Sequence, residues 1–337
     1  MHKSLRFAIS EANQVGEARR AARALGVSAQ LDESQLSNLG IIITELGTNL
    51  HKHAKQGELI IRKLETTDRQ GVEILCIDRG PGMTEVAKCM EDGYSTTGTK
   101  GNGLGSIKRV ATVFDIYSAP EGTAIVAQVW DQVPVSLPRV VEIGAICLPY
   151  PGESLCGDAW SCSDSEGSYA IIVADGLGHG KEAAAAADKA IEIFEEQSAL
   201  SPQLLLQMIH GALKSTRGAA VFVLHLGTRE GKIVCSGIGN ISSAIIKGDV
   251  SKSFVTLNGT IGHQAHRFQE FVYDWAAGSF LIFHSDGLQT KWKLNTYPGL
   301  QMRHSSLVAG VLYRDFRRER DDVTVLAMRE IVKTHSS

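Results

Sequence analysis

The sequence predicts two α+β domains joined by a short proline-bearing linker. Three observations carry this. The chain has 337 residues, more than one ordinary core accommodates. Residues 131–139 hold Pro134 and Pro138 and show no periodic pattern. On either side of them, strand-like apolar runs mix with helical stripes. The expected division is a first domain at 1–130, the linker at 131–139 and a second domain at 140–332.

Apolar residues make up 43% and charged residues 21% of the chain, a globular composition. No apolar run reaches the length of a membrane span, and the first residues lack the apolar core of a signal peptide. The six cysteines form no C-x-x-C pair and no zinc spacing, and Cys76, Cys147 and Cys235 lie inside apolar runs as small core residues. A reducing cytoplasm without disulfides is the expectation. A net charge of −3 leaves no nucleic-acid footprint. The acidic excess falls in the second half, where a metal site would need it.

In the first half, residues 5–10 read as a strand and 11–25 as an amphipathic helix with Arg19, Arg20 and Arg23 on its wet side. Asp32 and Gln35 form a capping-box pattern that opens a helix to about residue 55. Its core stripe is Leu39, Ile42, Ile43, Leu46 and Leu50. Glu45 and Asn49 lie one turn apart on a neighbouring face, with His53 a turn further; a carboxylate and an amide so placed can share a metal-bound ligand, although on this helix alone the plainer reading is a solvated face. Residues 58–64 and 72–77 read as paired strands. At the end of the second stands Asp78-Arg79-Gly80-Pro81-Gly82, where a carboxylate accepts a bond from an exocyclic amine and the glycines let a flat ring approach the backbone. A Gly/Ser/Thr-rich loop, residues 92–105, then leads into a helix to about 114, an arrangement suited to cradling phosphates. It lacks the Walker spacing. Strands at 115–118 and 122–130 close the domain.

Glu45-Leu-x-x-Asn49-x-x-x-His53-Ala54, Asp78-x-Gly80-x-Gly82 and Gly101-x-Gly103-Leu104-Gly105 resemble the N, G1 and G2 boxes of the GHKL ATP-binding superfamily, in that family's order. The run Asp92-Gly-Tyr-Ser-Thr-Thr97 resembles the RsbT and RsbW type of switch kinase, which phosphorylates STAS-domain proteins on Ser or Thr. The resemblance implies an α/β sandwich, with a mixed sheet and helices on one face. Glu45 is implied as general base and Asn49 as a Mg²⁺ ligand. Asp78 would read adenine, and Gly80, Gly82, Gly101, Gly103, Leu104 and Gly105 would line the nucleotide. His51 and His53 read as packing or lid contacts rather than phosphoacceptors.

In the second half, 140–148 alternates into a strand. Gly157-Asp158 follows, in a segment expected to pair with 169–174. The latter runs into Asp175-Gly176-Leu177-Gly178-His179-Gly180, by itself an ordinary turn pattern. An alanine-rich helix at 182–196 comes next, and Ser201-Pro202 opens another to about 214. Strands are expected at 219–226, 233–238, 243–247, 254–257, 268–275 and 279–284, the last ending in Ser285-Asp286-Gly287-Leu288. A helix at 305–316 and a strand at 323–328 finish the chain, with Asp321-Asp322 between them. The arginine-bearing run 314–320 reads as a solvated helix face or as an attractor for a phosphoprotein.

Asp158, Asp175, Asp286 and Asp321 or Asp322 all stand at ends of apolar strands. Brought together bare they repel, each pair near 4 Å by about 4 kcal/mol. Such a cluster needs cations, and an oxygen-only donor set selects Mg²⁺ or Mn²⁺. These motifs, with Thr216-Arg217-Gly218 and Asp321-Asp322-Val323-Thr324-Val325, resemble the SpoIIE/RsbX branch of the protein phosphatase 2C (PPM) family. The resemblance implies an αββα sandwich and a two-metal centre. Asp158 and Asp175 would bridge it, the Gly176 carbonyl would be a further ligand, and Asp286 and Asp321 would complete it. Asp322 is the alternative to Asp321. His179 reads equally as a general acid or as a loop residue.

Together the resemblances imply a cytoplasmic partner-switching regulator. It would phosphorylate a STAS-domain protein with ATP and dephosphorylate it, or a relative, with Mg²⁺ or Mn²⁺. Sigma-factor contacts and a homodimer are compatible with the family; nucleic-acid and membrane binding are not expected. The alternative keeps the phosphatase and makes the ATP domain a non-transferring clamp of the anti-sigma type.

Overall fold

The structure, a computed structural model, describes residues 3–54, 56–90, 103–132, 139–165 and 167–332. Packing divides the chain into two units. One comprises Ser4–Val135 with Met302–Arg314, the other Ser136–Gln301 and Asp315–Ser337 with the first three residues.

The first unit opens with β1 (Ser4–Ile9), α1 (Ala12–Ser28) and α2 (Glu33–His53). The expected capping box is present: Gln35 N donates to Asp32 Oδ1 at 2.8 Å and Asp32 N to Gln35 Oε1 at 2.8 Å. Then come β2 (Gly57–Glu65), β3 (Gln70–Ile77), the short α3 (Val86–Cys89), α4 (Gly103–Val110), β4 (Val113–Ala119) and β5 (Gly122–Trp130). The strands form one sheet in the order β1-β2-β3-β5-β4. The α2 stripe Leu39, Ile42, Ile43, Leu46 and Leu50 is buried against Leu59, Ile61, Val72, Ile74, Cys76, Ile125, Ala127 and Val129 on one sheet face.

Two expectations for this sheet are corrected. It is not mixed: all four ladders are antiparallel. Nor are its helices confined to one face. The opposite face carries Arg62, Glu73 and Gln128 as neighbours along successive ladders, and the helix Ser305–Phe316 packs there. On that helix Ser306 Oγ donates to Glu73 Oε2 at 2.7 Å, Tyr313 OH to Glu58 Oε2 at 3.3 Å, and Gly310 rests on Leu75 and Ile77. Positions 306, 310 and 313 lie on one helix face. Every residue from Ser305 to Arg314 is buried, so Arg314 is no part of a solvated surface.

The second unit contains β6 (Arg139–Leu148), β7 (Asp158–Ser165), β8 (Ser168–Gly176), α5 (Lys181–Gln197), α6 (Pro202–Ala212), β9 (Ala219–Gly227), β10 (Lys232–Ile238), β11 (Ser242–Lys247), β12 (Val250–Ser253), β13 (Phe271–Asp274), β14 (Phe280–His284) and β15 (Val323–Val332). The helix Ser305–Phe316, here α7, is inserted between β14 and β15. Two antiparallel sheets, β13-β10-β9-β8-β7 and β12-β11-β14-β15-β6, form a sandwich. Its core includes Trp160, Ile171, Val173, Phe222 and Leu224 from one sheet and Cys147, Leu281, Phe283, Leu326 and Met328 from the other. Helices α5 and α6 cover the outer face of the first sheet through Ala187, Ile191, Phe194, Leu205 and Ile209. The strand expected at 254–257 lies earlier, at Val250–Ser253, and Phe254 turns into the core.

Candidate active sites

In the first unit, α2 carries Glu45 and Asn49 side by side, both half-buried. The start of α4 faces them: a Cβ on Gly103 would lie 3.0 Å from Glu45 Oε2 and 3.7 Å from Asn49 Nδ2. The fold therefore brings a carboxylate, an amide and a helix N-terminus together from elements far apart in sequence. Leu104 and Gly105 follow, buried. Gly101 and the loop from Asp92 lie outside the described residues.

Asp78 follows β3. Its Oδ1 accepts from Gly80 N at 2.6 Å and Thr123 N at 3.3 Å. Burial raises its pKa, and these bonds with the Arg314 charge oppose the rise. Gly82 sits at φ +71°, and a Cβ there would collide with the Ala119 carbonyl, so no other residue fits this turn without strain. His51 Nδ1 lies 3.2 Å from Ser10 O, a packing contact.

In the second unit, the β7–β8 register sets Asp158 directly opposite Asp175. Asp158 is 1% exposed, and its Oδ2 accepts from Ser285 Oγ at 2.6 Å. Ser285 is in turn fixed by Thr324, whose N donates to Ser285 Oγ at 3.0 Å. Asp286 follows, its Oδ2 accepting from Asn240 Nδ2 at 2.9 Å.

Burial, helped by the charges of Asp158, Asp286, Asp321 and Asp322, pushes Asp175 up to about 9. Burial pushes Asp158 up to about 8, against the Ser285 bond and with the charges of Asp322 and Asp286 adding to it. Asp321 rises to about 6, by burial and then by Asp286. Asp158, Asp175 and Asp321 thus lie in one field of carboxylates to which Asp286 and Asp322 add their charge.

The two candidates at the end of the chain differ in setting. Asp321 is half-buried and feels Asp286 most among its neighbours. Asp322 is 3% exposed, and its Oδ1 accepts from Tyr150 N at 2.8 Å. Its Oδ2 is buried with no hydrogen-bond partner among the described residues, over Gly157. Among the described residues, no group of three or more His, Cys, Asp or Glu side chains is already set at coordination distance. The donor chemistry nevertheless fits a hard divalent cation: only oxygens, mutually repelling, one of them orphaned.

His179 is half-exposed, with Nδ1 3.1 Å from Glu153 Oε1 and its ring stacked on Tyr150 at 4.6 Å. Sequence reasoning alone misses Ser285 as the hydroxyl that fixes Asp158, and it gives no role to Arg217. That arginine pairs with Glu182 at the start of α5, and a Cβ on Gly178 would lie 3.0 Å from its Nη1. The Thr216-Arg217-Gly218 motif holds it there, since Leu177 N donates to Gly218 O at 3.0 Å. An arginine set against the Asp175 loop was the available clue.

Residues 9–129 match the histidine kinase-like ATPase domain family, and residues 165–330 match the stage II sporulation protein E (SpoIIE) family. The serine/threonine-protein kinase RsbT of Bacillus subtilis (strain 168) is 36% identical over 123 residues, which is 36% of this chain and 88% of RsbT. A solved chain of the bacterial stressosome, described as a modular system adapted to control secondary messenger signalling, is 29% identical. It covers 56% of this chain and 100% of its own length, with a TM-score of 0.53. RsbX in complex with magnesium shares the fold at 19% identity and a TM-score of 0.52, over 58% of this chain and 98% of RsbX. No helix among the described residues is long and apolar enough to cross a membrane. The chain belongs, with RsbT, to the histidine kinase-like ATPase family over its first part and carries a SpoIIE domain of the PPM phosphatase type over its second.

Proposed function

We propose that this chain both adds phosphate to and removes it from Ser or Thr of a cytoplasmic STAS-domain protein. The observation that carries the reading is the convergence of Asp158, Asp175 and Asp321 with the charges of Asp286 and Asp322: the first three are raised by burial and by their neighbours, which marks a site in want of cations. The likeness to a serine/threonine kinase over the first half supports the opposing activity.

In the phosphatase half, Asp158 and Asp175 would hold two Mg²⁺ or Mn²⁺ ions with the Gly176 carbonyl, Asp286 and Asp321. Bound there, divalent cations supply Lewis-acid charge and a water of lowered pKa. Ser285 keeps the Asp158 carboxylate oriented. Asp322, anchored by Tyr150 N, shapes the loop around Gly157. Arg217 would steady the phosphate of the substrate as it arrives.

In the kinase half, Asp78 would accept from the adenine amine, and Gly80 and Gly82 would lie under the ring. Gly101, Gly103, Leu104 and Gly105 would line the phosphates, and Asn49 would hold the Mg²⁺ of ATP. Glu45 would take the proton from the substrate hydroxyl as its oxygen bonds to the γ-phosphorus. The bond to the β-phosphate oxygen then breaks and ADP leaves. A sigma factor as further partner and a homodimer belong to the same proposal.

Incubation with a STAS protein and labelled ATP tests the first activity, and phosphate release from the phosphorylated STAS protein tests the second. Label transfer that is absent, or unchanged in Glu45→Ala, contradicts the kinase assignment. Phosphate release that survives a chelator or Asp286→Ala contradicts the phosphatase assignment.

A further inference from the structure

Beside Asp286, the face of the β12-β11-β14-β15-β6 sheet that points away from the sandwich core is hollow. Ile241, just before β11, and Ile245, within it, pack in the core, so the strand alternation turns Ser242 and Ala244 to the opposite face. Their register partners there are His284 on β14 and Ser253 on β12. These mostly small side chains leave a cavity of about 360 Å³, at the low end of the range for ligand sites. Every residue that lines it falls between Asn240 and Trp292, within the second unit. Ser242, Ser253, Thr256 and Thr290 contribute hydroxyls, Asn240 an amide and Trp292 an indole. Among the described residues, no Asp, Glu, Lys or Arg lines it.

Two parts of the wall are tied to the loop that carries Asp286. Asn240 Nδ2 donates to Asp286 Oδ2 at 2.9 Å. Trp292 Nε1 donates to His284 Nε2 at 3.1 Å, which leaves His284 Nδ1 to donate to Ser285 O at 2.8 Å. The cavity therefore begins one side chain away from a proposed cation ligand. A residue one or two places along an extended chain from a phosphorylated one lies about 4–7 Å from it. A substrate phosphate held at Asp286 brings such a neighbour to the cavity.

We infer that this cavity is a specificity site for the phosphoprotein, taking a neutral polar side chain one or two residues from the phosphorylated Ser or Thr. The inference rests on the phosphatase assignment made above. Hydroxyl and amide groups offer partners to an uncharged donor or acceptor. A charged side chain would lose water there without gaining an opposite charge, and an apolar one would leave the lining hydroxyls unpaired.

The test uses the full chain with Mn²⁺ and phosphoserine peptides in an alanine background. Asn, Leu or Asp is placed at each of the two positions on either side of the phosphoserine; the three are close in shape, so polarity and charge are what vary. At one of these four positions kcat/KM is expected to be about three- to tenfold higher for Asn than for Leu, the worth of one hydrogen bond, and lower again for Asp. Ser253→Leu fills the cavity from an exposed strand position and should bring the Asn-to-Leu ratio to about one. Thr290→Val removes an exposed hydroxyl at nearly constant shape and should reduce the ratio, with the urea midpoint reporting that each variant is folded. p-Nitrophenyl phosphate, which has no flanking residues, reports the phosphatase itself. If neither it nor any peptide is hydrolysed, the phosphatase assignment is overturned and the inference with it. If it is hydrolysed while the peptides are left intact, or are cut equally or faster with Leu or Asp, the specificity site is overturned and the assignment stands. An Asn preference undiminished in folded Ser253→Leu and Thr290→Val overturns the specificity site in the same way.

Discussion

Asp158 and Asp175 are register partners across β7 and β8, and the Ser285 hydroxyl holds Asp158 from the facing sheet at 2.6 Å. This pairing puts two carboxylates where neither ionises readily alone, and its pH dependence follows with a definite sign. Their folded values of about 8 and about 9 lie above the unfolded carboxylate range. Stability is therefore fully present below about pH 4 and lost as pH rises through 8 to 9, by about 1.4 kcal/mol per pH unit for each proton involved. In a chelator, the Tm of wild type should fall between pH 5 and 9 relative to Asp175→Asn. Added Mn²⁺ should raise the wild-type Tm at pH 8 and do little for the variant. Parallel pH profiles for the two proteins would contradict the shared field.

Glu73 is a second buried carboxylate, with the opposite sign. Burial alone would raise its pKa, but Arg62 at 2.7 Å, with His304 and Ser306, holds it below the usual range. Its contribution is present above the unfolded pKa and lost as pH falls through the folded one. Glu73→Ala takes the Glu73 carboxylate from the buried Arg62 guanidinium and should cost about 3–5 kcal/mol, read as a lower urea midpoint. A loss below about 1 kcal/mol would mean that the Arg62–Glu73–Ser306 network does not organise the α7 face of the sheet.

Asn49 and Glu45 should separate binding from transfer. Asn49→Ala is expected to weaken ATP binding about tenfold or more in Mg²⁺, with a smaller effect when Mg²⁺ is absent. Glu45→Gln should keep ATP affinity within about threefold and lower the transfer rate by about 10²–10⁴. Equal losses of binding in both variants would contradict the division of roles.

Arg217 reaches Gly178 of the Asp175 loop and pairs with Glu182. Arg217→Ala should lower kcat/KM for a phosphoprotein by about 10- to 100-fold, the worth of a charge-assisted hydrogen bond. The Mn²⁺ concentration at half-maximal rate should stay nearly unchanged. A shift in Mn²⁺ dependence with KM unaltered would place Arg217 with the cation rather than the phosphate.

Much of this was legible because the decisive residues sit at element ends, where sequence patterns are sharpest. Asp158, Asp175 and Asp286 each stand at a strand end, and the Asp32–Gln35 box marks the start of α2. What stayed hidden depends on contacts between distant segments. The alternation in β3 gives Val72, Ile74 and Cys76 to one face and Glu73, Leu75 and Ile77 to the other, but nothing local says that α7 covers the second set. Arg314 has the same explanation: in a run of arginines it reads as solvated, and only tertiary packing buries it. Asp321 and Asp322 are indistinguishable by type and spacing, and only the folded chain separates them, burying Asp322 under the Tyr150 amide and leaving Asp321 half-exposed.

The most direct measurement is the intact mass of a STAS partner after incubation with ATP, Mg²⁺, Mn²⁺ and this chain. With Asp175→Ala the partner should accumulate one phosphate, because addition continues without removal. With Glu45→Ala an initially phosphorylated partner should lose its phosphate and not regain it, and wild type should leave a steady mixture. A partner that stays unmodified with Asp175→Ala, or that is phosphorylated as fast by Glu45→Ala as by wild type, would contradict the joining of two opposed activities on one chain.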